Sequence, residues 1–271
     1  MGFTRIVGAV ALLLAWLAPA GAQPSATAQA KTLVEAELVA ETRAVVPGEA
    51  LSLAIRMTMK PGWHVYWRNP GDSGLPPEMA WRLPQGIAAG AFQWPVPERI
   101  PVQTLMNYGY EGETVLLVPA SVAADLAETA SGGTATLGGT LSYLVCEDVC
   151  IPGSAELSLT LPVAAKGAAP EIDPGRAALF AAARAQLPVP APVPVRFTHE
   201  GDRIVLTLEA KGLAAESVGA AAFFPYAETV LDNAAPQDLR VDAAGLHLSL
   251  KPGEGSAAPA TVPGSKCCAP S

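Results

Sequence analysis

The sequence predicts an all-β protein, in which a β-sandwich is followed by a smaller second β unit. The chain has 26 Pro, 25 Gly and only 15% charged residues, a composition typical of short strands joined by many turns. Several segments alternate apolar and polar side chains with a period of two, as strands buried on one face do. About seven or more short strands at such spacing favour a sandwich.

The first residues of the chain have the pattern of an export signal. Arg5 supplies the positive charge, residues 6–17 form an apolar run, and Ala20-Gly21-Ala22 is a small-residue cleavage site. The apolar run is shorter than the roughly 20 residues that a membrane-spanning helix needs. We therefore expect cleavage after Ala22 and a soluble exported protein, in a compartment where disulfides form.

The net charge limits the classes of partner. A formal charge of −8 disfavours binding to phosphate backbones and to anionic membrane surfaces. We therefore expect no nucleic acid as a partner. The sequence also has no nucleophile elbow, phosphate-binding loop or His-Glu-x-x-His pattern.

The predicted sandwich domain spans residues 32–165, after the signal over 1–22 and a flexible lead-in over 23–31. Its first clear strand alternates apolar and polar residues from Leu51 to Lys60. Pro61-Gly62 then turns the chain into an aromatic strand. The later elements expected here are the aromatic strand at 63–67, a loop at 68–77, and strands at 114–118 and 134–146.

A helix, a linker, a second β unit and a tail are expected after the sandwich. Asp173 is a good N-cap, Pro174 suits the first turn, and the alanine-rich run predicts a helix up to Gln186. The proline-rich run at 187–194 is typical of a semi-rigid linker. The predicted ranges are 166–194 for the helix and linker, 195–252 for the short second β unit, and 253–271 for the flexible tail.

Cys146 and Cys150 lie at the loop of a predicted β-hairpin, because alternating segments precede and follow them. Two thiols at this spacing can close into a disulfide or bind a soft metal. A disulfide that closes so small a ring removes little chain entropy, so it stabilises poorly and suits exchange. Glu147 and Asp148 place negative charge beside the thiols, which opposes thiolate formation and tunes the pair toward a higher thiol pKa.

Two other interpretations of the pair stay open. The first is an inert structural bridge, the usual role of paired cysteines in an exported β protein. The second is a copper-binding or copper-tolerance protein, in which the thiols bind Cu(I) with Met57, Met59, Met106 or a histidine. The methionines at 57 and 59 also continue the apolar face of their strand, which predicts core positions. Zinc ligands at a recognisable spacing are absent, and we expect no resident metal or cofactor.

The residues around the cysteine hairpin resemble those of a known family. The matching segments are Tyr143-Leu144-Val145-Cys146, Cys150-Ile151-Pro152, Pro61-Gly62-Trp63-His64-Val65-Tyr66-Trp67-Arg68-Asn69-Pro70-Gly71-Asp72, Trp94-Pro95-Val96-Pro97 and Tyr108-Gly109-Tyr110-Glu111-Gly112. They are similar to the periplasmic N-terminal region of DsbD-type disulfide reductases, and closest to the ScsB-like branch. The resemblance covers residues 32–165 well and the later β segment more loosely.

This resemblance implies an immunoglobulin-like domain in the periplasm. Its cysteine pair would take electrons from a membrane-embedded disulfide reductase domain and pass them to periplasmic thioredoxin-like proteins. Cys150 would form the mixed disulfide and Cys146 would resolve it, so the protein would be a relay more than a turnover enzyme. The residues expected in an aromatic cap loop over the pair are Met106, Asn107, Tyr108 and Tyr110.

The sequence departs from the family pattern in two respects. The best-studied members have a longer spacing between the two cysteines. The membrane-embedded and C-terminal thioredoxin-like domains have no counterpart in this sequence, so we expect them as separate proteins or in a longer form of the chain. The vicinal pair Cys267-Cys268 is expected to lie outside any fold.

Overall fold

The computed structural model describes residues 26–126, 133–214, 218–254 and 266–267. The predicted signal, its cleavage site and Cys268 lie outside the described residues, as does most of the predicted tail. Part of the expected flexible lead-in forms a short helix, α1 (Ala26–Ala30). Ala30 is buried against Gly153, which has no side chain to exclude it, and this contact accounts for the order of the segment.

Ten strands of the first part form two antiparallel sheets packed as a sandwich. They are β1 (Val34–Ala40), β2 (Leu51–Met59), β3 (His64–Gly71), β4 (Glu78–Arg82), β5 (Ile87–Ala89), β6 (Glu98–Val102), β7 (Leu105–Glu111), β8 (Glu113–Val122), β9 (Thr134–Cys146) and β10 (Cys150–Pro162). One sheet has the order β1-β2-β8-β5. The other has the order β10-β9-β3-β7-β6, with β4 also paired to β9.

Alternating side chains of both sheets fill one core, as the period-two pattern predicted. Met57 and Met59 belong to this core, together with Leu141 and Val145 of β9. Strand β3 extends beyond the predicted range of 63–67 to Gly71. Its register with β7 shifts between Tyr66 and Gly71. Gly71, which was predicted to lie in the loop at 68–77, therefore pairs with β7 after this irregularity.

The helix predicted from its cap is confirmed as α2 (Pro174–Ala185). The Asp173 carboxylate accepts a hydrogen bond from the Gly175 N–H at 2.9 Å, and Pro174 occupies the first turn. Phe180 and Ala183 of this helix pack on the outer side of the first sheet. Their partners there are Val39, Ala54, Val115 and Leu117.

The second β unit is a four-stranded antiparallel sheet with its own small core. Its strands are β12 (Val195–Glu200), β13 (Arg203–Leu208), β14 (Asp238–Asp242) and β15 (Gly245–Leu250), in the order β12-β13-β15-β14. In the linker, β11 (Val189–Pro190) pairs with β16 (Lys266–Cys267) of the tail.

None of the helices that the structure describes has both the length and the apolar character needed to cross a membrane.

Replacing Phe180 by alanine is expected to lower the free energy of unfolding by about 3–5 kcal/mol, because the ring is fully buried between α2 and the sheet. The measurement is equilibrium urea denaturation. As a control, Ile172→Ala removes a side chain that is 46% exposed and should change stability by about 0.5 kcal/mol or less. Equal losses in the two variants would contradict the described packing of α2.

Candidate functional site

The two cysteines join the ends of paired strands. Cys146 is the last residue of β9 and Cys150 the first of β10, and the two are directly opposite in the antiparallel register. They form a disulfide with a Cα–Cα distance of 4.2 Å. Cys146 is buried, with 1% of its surface exposed, whereas Cys150 is exposed. An incoming thiol can therefore reach the Cys150 sulfur more easily than the Cys146 sulfur.

The site lies on the outer face of the six-stranded sheet. Alternation along β3 directs Val65 and Trp67 into the sandwich core, so His64 and Tyr66 occupy the opposite face. His64 is paired with Cys146 across the strands, and the Tyr66 hydroxyl lies 3.3 Å from the Cys150 sulfur. Both aromatic side chains are nevertheless buried.

A buried amide connects these groups. The Asn107 Oδ1 accepts a hydrogen bond from the Ser73 hydroxyl at 2.9 Å. The Asn107 Nδ2 then donates toward His64 Nε2 at 3.4 Å and toward the Tyr66 oxygen at 3.5 Å, both long contacts. Because the Tyr66 oxygen accepts from Asn107, its own O–H is free to donate to the Cys150 sulfur.

Burial sets the ionisation of the two ring groups. It lowers the pKa of His64, so the ring is neutral at pH 7 and Nε2 can accept from Asn107. Burial is also the largest influence on the Tyr66 hydroxyl, whose pKa it raises. Tyr66 is therefore a protonated donor at physiological pH, as a hydrogen bond to sulfur requires.

The loop after β3, residues 72–77, covers Tyr66. Gly74 has φ of +101°, and a Cβ at this position would lie 2.2–2.5 Å from Tyr66 ring atoms. Only glycine allows the backbone to approach the ring this closely and to adopt this conformation. Since Ser73 is its neighbour, the same loop covers the ring and holds the Asn107 amide.

The two acidic residues between the cysteines are exposed, as is Val149 beside them. Glu147 extends over the preceding turn, where its Oε1 lies 2.7 Å from the position that a Cβ on Gly62 would take. Asp148 is on the exposed part of the loop. Both carboxylates are thus close in sequence to the sulfurs, on the side that a partner would approach.

The residues predicted for a cap loop lie in strand β7, which pairs with β3 and β6. The predicted loop conformation is therefore wrong, because β7 forms backbone hydrogen bonds with the strands on both of its sides. Asn107 belongs to the cysteine site, and Met106 forms backbone contacts with Asp72. The other two hydroxyls bond elsewhere, with Tyr108 donating to Asn233 and Tyr110 to the Pro95 carbonyl.

Sequence reasoning missed four contributors to the site, namely His64, Tyr66, Ser73 and Gly74. His64 and Tyr66 lie in the predicted aromatic strand at 63–67. The alternation of that strand carried a usable signal, since it separates His64 and Tyr66 from the core-facing residues. No sequence pattern indicates that the loop at 72–77 folds back over Tyr66.

The structure does not bring the predicted ligands Met57 and Met59 to the cysteines, whereas His64 pairs with Cys146 across the strands. Met57 and Met59 are buried in the sandwich core. Within residues 26–126, 133–214, 218–254 and 266–267, no group of three or more His, Cys, Asp or Glu side chains is placed to hold a metal ion.

Replacing Tyr66 by phenylalanine is expected to slow alkylation of reduced Cys150 at pH 7 by about three- to tenfold, because the thiolate loses a hydrogen-bond donor. The measurement is iodoacetamide labelling over a pH series, followed at the Cys150 peptide by mass spectrometry. Tyr110→Phe removes a hydroxyl that bonds to the Pro95 carbonyl and serves as the control. Identical curves for wild type and Tyr66→Phe would exclude this role of the hydroxyl.

Comparisons with known proteins agree with this geometry. Residues 32–162 match the family model described as thiol:disulfide interchange protein DsbD, N-terminal. The N-terminal periplasmic domain of ScsB from Proteus mirabilis has a similar crystal structure, with a TM-score of 0.55 and 19% sequence identity. The alignment covers 86% of this chain and 85% of that chain. Comparison with curated protein sequences gave no significant match.

The structural similarity, at this low identity, bears on the fold alone. It confirms the predicted all-β, immunoglobulin-like architecture with a second β unit. The family model matches the region that contains β1 to β10 and the Cys146–Cys150 disulfide. Residues 32–162, which contain the cysteine pair, therefore match the family model of DsbD N-terminal domains.

Proposed function

We propose that this protein relays reducing equivalents by thiol–disulfide exchange through Cys146 and Cys150. The observation that supports this most directly is the asymmetry of the pair. Cys150 is exposed and lies 3.3 Å from a hydroxyl donor, whereas Cys146 is buried. A bridge with a structural role only has no need of a reachable sulfur with a buried donor beside it.

The exchange begins when a thiolate of the donor protein attacks the Cys150 sulfur. The bond between Cys146 and Cys150 breaks, its electron pair goes to the Cys146 sulfur, and a mixed disulfide forms through Cys150. A second thiolate of the donor then releases Cys150 as a thiolate and leaves the donor oxidised. Two electrons have then passed to the pair, and its two thiolates take up protons from solvent.

The reduced pair acts in the opposite direction on an acceptor. The Cys150 thiolate attacks the acceptor's disulfide, and Cys146 then attacks Cys150 and releases the acceptor as a dithiol. The Tyr66 hydroxyl stabilises negative charge on the Cys150 sulfur whenever that sulfur attacks or leaves. Cys146 needs no hydrogen-bond donor of this kind, because the sulfur that it attacks, that of Cys150, is already next to it.

The proposed location and partners follow the resemblance. The protein acts in the periplasm after removal of residues 1–22, with residues 32–165 as the redox domain. Its electron donor is a membrane-embedded disulfide reductase domain, and its acceptors are periplasmic thioredoxin-like proteins. Two exposed apolar side chains beside the site support docking of proteins, because Val149 is 68% exposed and Leu75 is 64% exposed.

Replacing Cys146 by serine should trap mixed disulfides through Cys150, whereas Cys150→Ser should trap far fewer. The reason is that only the first variant keeps the exposed sulfur while losing the group that resolves the intermediate. The measurement is non-reducing electrophoresis and mass spectrometry after incubation with an oxidised thioredoxin-like protein. Cys267→Ser and Cys268→Ser are included in every variant, so that the vicinal pair contributes no adduct.

Equal trapping by the two variants would contradict the assignment of roles. Absence of trapping in both, together with a reduction potential below about −300 mV, would instead favour the inert bridge. The reduction potential is measured by equilibration with glutathione or dithiothreitol buffers. The two results together separate a relay from a structural bridge.

The double change Glu147→Gln with Asp148→Asn should make alkylation of reduced Cys150 about two- to tenfold faster at pH 7. Removal of two nearby negative charges favours the thiolate, by an amount that solvent screening limits in an exposed loop. The rate–pH curve should therefore shift to lower pH. The matched control is Glu200→Gln with Asp202→Asn, an equal change of charge on an exposed turn of the second β unit.

Raising the salt concentration should reduce the difference between the double variant and wild type, since the charges act through solvent. Superimposable curves at low salt would show that the carboxylates do not tune the thiols. A shift of the same size in the control pair would assign the effect to net charge.

A further inference from the structure

One turn of the second β unit reaches the redox domain next to the cysteine site. Asn233 is 7% exposed, and its side-chain nitrogen, side-chain oxygen and backbone carbonyl each form a hydrogen bond there. Its Nδ2 donates to Asp72 at 2.9 Å, and its Oδ1 accepts from the Tyr108 hydroxyl at 2.9 Å. Its backbone carbonyl accepts from the Arg99 guanidinium at 2.8 Å.

The second sheet fixes the position of this turn. The Asp232 carboxylate accepts from the Ala235 N–H at 3.1 Å and forms an ion pair with Lys251 at 2.8 Å. The Asp232 N–H donates to the Lys251 carbonyl at 3.0 Å, immediately after β15. The second β unit thus fixes the turn that carries Asn233 through contacts of its own, separate from the contacts of Asn233 with the redox domain.

Asp72 is the residue through which the contact enters the redox domain. One carboxylate oxygen accepts from Asn233, and the other accepts from the Met106 N–H at 2.8 Å. Asp72 is the first residue of the loop at 72–77, and the next two are Ser73 and Gly74. These two are the residues that hold the Asn107 amide and cover the Tyr66 ring.

A second asparagine supports the other end of the same bend. Asn69 is buried in β3, and its Nδ2 donates to the Pro225 and Ala227 carbonyls of the second unit at 2.8 and 3.3 Å. Its Oδ1 accepts from the N–H of Gly71, which has φ of +84°. The bend from Asn69 to Asp72 is therefore held from the second unit on both sides.

Apolar contacts already hold the two units together without these hydrogen bonds. Phe224 packs on Trp67 and Tyr108, with ring centroids 6.2 and 5.1 Å apart, and Tyr226 packs on Trp67 at 5.5 Å. The Arg68 guanidinium lies 4.4 Å from the centre of the Tyr226 ring. Hydrogen bonds between buried groups add direction more than net stability, because water would satisfy the same groups in the separated units.

We propose that Asn233 is a positioning residue for the redox site, acting through Asp72 on the loop that orients Ser73, Asn107 and Tyr66 beneath Cys150. This inference rests on the proposed function and deepens it. The second β unit then serves as a part of the redox site, and a change in that unit changes the reactivity of a sulfur that it does not touch.

The test exchanges the two groups of the central contact. Asn233→Asp places a second carboxylate against Asp72 and removes the donor. The double exchange of Asn233→Asp with Asp72→Asn restores it, because an amide at position 72 can accept from Met106 and donate to a carboxylate at position 233. The net charge of the double exchange equals that of the wild type. Phe224→Leu is the control, since it weakens the apolar contact only.

The readout is iodoacetamide labelling of the reduced full chain over a pH series, followed at the Cys150 peptide. Glu147 and Asp148, the charged residues between the two cysteines in the sequence, stay the same in all variants, and Arg99 remains beside the turn. Asn233→Asp is expected to shift the rate–pH curve to higher pH and to slow labelling at pH 7 several-fold. The double exchange should restore the wild-type curve, and Phe224→Leu should lower only the melting temperature.

A mutant cycle tests the route of the effect. In a Tyr66→Phe background, Asn233→Asp should cause no further shift, because the hydroxyl through which it acts is gone. A wild-type curve for Asn233→Asp, or an equal shift in Phe224→Leu, overturns the inference. Should Asn233→Asp not fold, Asp72→Asn alone carries the same test with a smaller expected shift, whose absence overturns it.

The failure of this inference can be told apart from the failure of the proposed function. Labelling of the reduced protein needs no redox partner, whereas trapping by Cys146→Ser does. Unchanged labelling with intact trapping rejects the role of Asn233 and leaves the relay in place. Loss of trapping rejects the relay, whatever the labelling shows.

Discussion

The hydrogen-bonding requirement of one buried amide organises the site. Asn107 is 1% exposed, so its oxygen and its nitrogen must both find partners within the protein. Ser73 satisfies the oxygen, and the nitrogen faces a neutral imidazole and a phenol that can accept. The direction of the last hydrogen bond, from Tyr66 to sulfur, follows from these constraints. A buried, well-packed sheet therefore places a hydrogen-bond donor next to the sulfur of an exposed residue, Cys150.

Stability and reactivity depend on different parts of the molecule. The sandwich core and α2 bury apolar side chains on both sides of the first sheet. The small ring between Cys146 and Cys150 contributes little through chain entropy, which leaves the bond free to open and close. We propose that two opposite influences act on Cys150, in which Tyr66 favours a thiolate and the neighbouring acids disfavour it.

The sequence was most informative where the physics is local. The cap at Asp173 and the alternation around Cys146 and Cys150 specify a helix and a hairpin from residues close in the chain, and both are present. The segment from Met106 to Tyr110 was predicted as a loop but is a strand, because pairing with two neighbouring strands depends on residues far away. The contact of Ser73 with Asn107 joins separate elements, and Asn233 lies still further along the chain. No periodicity in the sequence can indicate such contacts.

The separation of Asn233 from Cys150 along the chain has a consequence for biosynthesis. The cysteine hairpin precedes the turn that contains Asn233 along the chain, and domains generally fold in order from the N-terminus. The sandwich can thus form, and its cysteines can oxidise, while the bend at Asn69 to Asp72 still lacks its partners in the second sheet. If Asn233 positions the redox site as proposed, the reactivity of the cysteine pair differs before and after the second sheet has formed. Completion of the C-terminal sheet marks the transition between these two levels of reactivity.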